Sequence, residues 1–65
     1  MAAKINAKKF TVTFTNILNE AKSEMIKIPA EKVGCTIKNL DCGTKIVVTA
    51  NDYDMLSTFI VEYNK

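Results

Sequence analysis

The sequence predicts a small α+β domain, and three stretches carry that prediction. Phe10, Val12 and Phe14 alternate with Lys9, Thr11 and Thr13, a period of two that marks a strand with one buried face. Phe14, Ile17, Leu18, Ala21, Met25 and Ile28 then recur at helical spacing. Further on, Lys45 to Thr49 is strongly β-forming, and Asp41 and Gly43 precede it with turn chemistry. The expected order is β-α-β-β-α in one domain over residues 1–65, with both helices packed on one face of an antiparallel sheet.

Taken in order, Met1 to Ala7 shows little pattern beyond Ile5 and reads as a frayed start to the first strand, which is set at Lys8 to Phe14. The central helix spans Phe14 to Ile28, with Thr15 or Asn16 as its cap and Pro29 as its stop. Its other face carries Asn19, Glu20, Lys22, Ser23, Glu24 and Lys27, as an amphipathic helix on a core requires. Burial of Ile17, Leu18 and Met25 would contribute roughly 1.5–3 kcal/mol apiece, so Ile17→Ala or Leu18→Ala should cost about 2–5 kcal/mol.

Two segments fit two templates each. In Ala30 to Leu40, Val33, Ile37 and Leu40 have helical spacing, whereas Val33, Cys35 and Ile37 alternate as in a strand. The β-rich Lys45 to Thr49 beyond the turn favours a hairpin. In Asn51 to Lys65, Leu56, Phe59, Ile60 and Tyr63 form a helical stripe, although Thr58 to Val61 are β-formers. Asn51 followed by Asp52 and Asp54 is a good helix start, because oxygen caps and negative charge suit exposed amides, and this selects the helix.

A 65-residue chain has room for one small core, which makes a homodimer a candidate assembly. Its 48% hydrophobic and 25% charged residues place it with folded proteins and not with disordered ones. No apolar run reaches the ~20 residues that span a bilayer, and the start has no secretion signal, so a cytoplasmic location is expected. In that compartment Cys35 and Cys42, with six residues between them, read as reduced structural thiols. All nine basic residues are lysine, and the richness in Lys, Asn and Ile suggests a low-GC bacterium or its phage. Charge is uneven: the first fourteen residues carry three lysines and no acid, while the last fifteen are net −2.

Histidine is absent, removing the usual general base near neutral pH and the commonest metal ligand. Two glycines are too few for a phosphate-cradling loop, and Asp52 with Asp54 reads as a helix start before a metal site. The expectation is a non-enzymatic protein with no cofactor and no metal.

Binding is the function class that is left. The first expectation is a small regulator or inhibitor that meets a protein partner through Met55, Val61 and Tyr63, bordered by Asp52 and Asp54. Aromatic and methionine anchors inside a charged rim are the composition of interface centres. The second uses Lys8, Lys9, Thr11 and Thr13 on the first strand to touch nucleic acid. With the following helix, and a second one opening at Ile28 to Val33, Lys8 to Leu40 resembles a ribbon-helix-helix repressor. That resemblance implies a dimer whose paired strands enter the DNA major groove, here with a C-terminal extension. The chain departs from that family in having no arginine to read guanine and no glycine-containing turn before the second helix.

Overall fold

The computed structural model describes residues 2–65 and shows a four-stranded antiparallel sheet with two helices on one face. The elements are β1 (Ala2–Asn6), β2 (Thr11–Thr15), α1 (Glu20–Val33), β3 (Thr36–Leu40), a 3₁₀ turn (Asp41–Gly43), β4 (Lys45–Thr49) and α2 (Tyr53–Tyr63). Strand order is β1-β2-β4-β3, with every neighbouring pair antiparallel. The α+β class, the hairpin of β3 with β4 and the C-terminal helix agree with the sequence reading. The N-terminal half differs from it at four points.

Ala2–Asn6 is a strand in its own right and not a frayed extension of the next one; Met1 lies outside the described residues. Asn6 makes the hairpin: its Oδ1 accepts from the amides of Lys8 at 3.1 Å and Lys9 at 3.2 Å, an Asx-type turn that folds the chain back. Phe10, at φ 55°, completes the reversal, and its carbonyl accepts from the Ala50 amide at 2.8 Å. Lys8 and Lys9 therefore sit at the hairpin tip, and the strand expected at Lys8 to Phe14 begins at Thr11.

The helix expected from Phe14 to Ile28 starts six residues later and ends five residues later. Phe14 belongs to β2 and is buried. Asn16, in the left-handed region at φ 57°, ends that strand. Ile17 drops into the core, and its amide donates to the Thr44 carbonyl at 3.0 Å. The cap is Asn19, whose Oδ1 accepts from the Lys22 amide at 2.9 Å, in place of Thr15 or Asn16.

Pro29 is buried inside α1 and does not end it. Its ring lies on the core side beside Ile26 and Ala30, so burial offsets the hydrogen bond that proline removes. The stop is Gly34, at φ 95°. Its amide donates to the Ala30 and Glu31 carbonyls, and the Cys35 amide donates to Ala30 O at 2.9 Å, closing a Schellman motif.

The helix also turns a different face inward. Ile26, Pro29, Ala30 and Val33 meet the core at i, i+3, i+4, i+7, whereas Met25 is 56% exposed, Ile28 61% and Leu18, ahead of the helix, 84%. Of the two substitutions expected to be costly, Ile17→Ala remains so. Leu18→Ala does not, because Leu18 has almost nothing to lose.

The core joins Val12 and Phe14 of β2 and Ile46 and Val48 of β4 to Ile26 and Ala30 of α1 and Leu56 and Phe59 of α2. Phe14, Phe59 and Tyr63 form an aromatic cluster, with Phe14 edge-on to Phe59 at 6.2 Å and 5.1 Å from Tyr63 between centroids. At the far end of the chain Asp52, one residue beyond the expected Asn51, caps α2 by accepting from the Met55 amide at 2.8 Å.

A ribbon-helix-helix arrangement does not describe this chain. That fold needs the first long strand free to pair with its copy, and here β2 is an inner strand held by β1 on one side and β4 on the other. Residues 30–33 finish α1 and do not open a second helix.

Candidate interaction face

The two helices cover one side of the sheet and leave the other open. Alternation along each strand decides which residues stand on that open face. Opposite the buried Val12, Phe14, Ile46 and Val48 are Thr11, Thr13 and Thr15 of β2 and Lys45, Val47 and Thr49 of β4. The register adds Ala2, Lys4 and Asn6 of β1 and Thr36, Lys38 and Leu40 of β3. One row across the sheet runs Lys4, Thr13, Val47, Lys38, and the next runs Asn6, Thr11, Thr49, Thr36. The face is thus a floor of short threonines with Val47 and Lys45, bordered by a lysine on each edge strand and by Leu40 at the β3 end.

Its charge is one-sided. None of the seven acidic residues lies in a strand: Glu20, Glu24, Glu31, Asp54 and Glu62 are in the helices, Asp52 caps α2, and Asp41 is in the 3₁₀ turn. Five of the nine lysines, Lys4, Lys8, Lys9, Lys38 and Lys45, belong to the strands or the β1–β2 turn. The two salt bridges among the described residues both lie on the helical layer, where Glu62 meets Lys32 at 3.2 Å and Lys65 at 2.8 Å. These partners hold the Glu62 carboxyl below its ordinary range through hydrogen bonds from Lys65 and Lys32. Lys4, Lys8, Lys9 and Lys38 are exposed and take part in neither pair.

The sequence named part of this face. Thr11 and Thr13 stand on it, with Lys8 and Lys9 at the adjoining tip. Lys4, Lys38 and Lys45 were missed. For Lys38 and Lys45 the signal was the parity of β3 and β4, since once that hairpin is paired they must share the side away from Ile37, Ile46 and Val48; Lys4 had none, because β1 has no buried residue.

The residues expected to meet a protein partner are not brought together in the same way. Met55 is half-buried against the core, and Tyr63 is held by the aromatic cluster. Asp52 is engaged as the cap of α2, while the Asp54 carbonyl accepts from the Thr58 hydroxyl at 2.8 Å. Val61 alone among the apolar three stands free, at 59% exposure.

Neither cysteine forms a disulfide. Cys35 packs beside the core, where burial pushes its thiol up, and Cys42 is exposed in the 3₁₀ turn, so only one of them serves packing. An open depression of about 460 Å³ near that turn is lined by Asn19, by Lys27 of α1, by Asn39 of β3 and by Cys42. Among the described residues no three of Cys, Asp and Glu gather as a metal site, and no helix is long and apolar enough to cross a membrane. No family model matches the chain, and neither a curated protein nor a solved structure matches it.

Proposed function

We propose that this chain is a small non-enzymatic binding protein that holds nucleic acid on its open sheet face. One observation carries the reading: the fold sorts charge so that five lysines meet no strand carboxylate, beside threonines that can donate to phosphate oxygens. Lysine is a point charge suited to phosphate, and an acid-free surface lets several act together. The test is fluorescence anisotropy of a labelled 20-base-pair DNA duplex at about 50 and 200 mM salt, the range over which phosphate contacts lose affinity steeply. Binding at the lower salt that weakens at the higher, and is lost in the Lys4→Ala/Lys38→Ala/Lys45→Ala variant, supports the reading. Absence of binding at about 50 mM would contradict it.

A regulator or inhibitor acting on a protein partner is the second reading, favoured by a separate observation. Met25, Ile28, Tyr53 and Val61 on the helical layer are each more than half exposed. Its self-pairing form is tested by sedimentation equilibrium. A dimer that dissociates in Ile28→Asp and Val61→Asp supports it, and a monomer in all three proteins removes that form.

A further inference from the structure

We infer that the open face grips a double-stranded backbone through phosphates alone, without reading sequence; this rests on the nucleic-acid reading above. Two features of the face select that ligand. The first is the placement of the cations. Lys4 on β1 and Lys38 on β3 occupy one register row but sit on opposite edges of the sheet, three strand spacings apart, or about 14 Å between backbones. A single strand presents one line of phosphates. A duplex presents two, on either side of a major groove about 12 Å wide, which suits Lys4 and Lys38 on the two rims with Thr13 and Val47 between them in that row, Lys45 of β4 adding a third cation one row away.

The second is what the face lacks. All the phenylalanines and Tyr63 pack with the core, and Tyr53 is on α2, so the open face has no aromatic ring on which an unpaired base could stack. Base stacking supplies much of the affinity of single-strand binders, and here that source is missing. Sequence reading is equally unsupported. The chain has no arginine, and Thr11, Thr13 and Thr49 are short side chains on a four-strand surface, broader than the two-stranded ribbon that a major groove admits. Affinity then comes from counterion release. Five lysine contacts give a slope of log K against log salt near −4.5, or roughly a 500-fold loss between 50 and 200 mM.

The experiment titrates three 20-base-pair DNA duplexes of unrelated sequence and a 20-nucleotide single strand of mixed sequence across that salt range, with wild type and Lys8→Ala/Lys9→Ala. Both mutated lysines are exposed at the hairpin tip, and circular dichroism confirms that the variant is folded. The expected result is equal affinity for the duplexes within about threefold, weaker binding of the single strand, and a slope shallower by about 2 in the variant. A preference above tenfold for one duplex, tighter binding of the single strand, or an unchanged slope would overturn the inference while leaving nucleic-acid binding intact. No binding to any of the four probes would remove both.

Discussion

The helical layer and the open sheet face are built from the same short chain, yet they resolve charge and apolar surface in opposite ways. On the helical layer acids and lysines are mixed and partly paired, and five of the six large exposed apolar residues lie there or in the loop leading to it. On the sheet face the cations have no acid within the strands and the apolar content is modest. Stability is decided between the two, in the core that both share. The lesson is that binding chemistry in so small a protein is read from what each layer turns outward, because the inward sides are committed to folding.

The comparison breaks most sharply along β2. Phe14→Ala should cost about 3–5 kcal/mol, since Phe14 is buried at the centre of the aromatic cluster. Thr13→Ala, one residue away on the open face, should stay within about 0.5 kcal/mol. Urea melts of the two variants check this, and similar losses would mean that the faces are misassigned. Along α1 the contrast is smaller but as direct. Ile26→Ala should lose about 2–5 kcal/mol and Ile28→Ala less than about 0.5, as Ile26 is fully buried and Ile28 mostly exposed.

Next come the helix ends. Asp52→Ala removes the acceptor for the Met55 amide and should cost about 0.5–2 kcal/mol. Gly34→Ala should cost about 1–2 kcal/mol through its left-handed φ alone, because a Cβ there meets no neighbour. The smallest effect is that of Glu62. Its carboxyl releases its proton more readily when folded, so its stabilisation is present above the ordinary carboxylate range and fades as pH falls through the lower folded value. Glu62→Gln should therefore flatten the stability profile below about pH 4, its small loss being present at neutrality and vanishing in acid, as read from urea midpoints across pH.

The C-terminal half of the fold was legible because its signals agree. The β-branched run of β4, the turn residues Asp41 and Gly43, and the stripe Leu56, Phe59, Ile60 and Tyr63 behind an acidic start all point one way. The N-terminal half was not, because α1 carries two stripes. Ala21, Met25 and Ile28 continue the spacing of Phe14, Ile17 and Leu18 only in sequence; the left-handed Asn16 breaks the run, and the buried stripe begins at Ile26. Pro29 resembles a stop in sequence, whereas the left-handed residue that ends the helix is Gly34. Strand β1 has no buried residue to give it a period, so its pairing with β2 could not be read from pattern. The candidate face was half legible for the same reason: Thr11 and Thr13 follow from local alternation, but joining them to Lys4 and Lys38 needs the strand order.

The most direct test of a division between two faces is chemical-shift mapping of the ¹⁵N-labelled protein as a mixed-sequence DNA duplex is added at about 50 mM salt. The largest changes are expected at the amides of Lys4, Lys8, Lys9, Thr13, Lys38 and Val47, with α1 and α2 little affected. Changes centred on Met25, Ile28 and Val61, or none anywhere, would contradict that division.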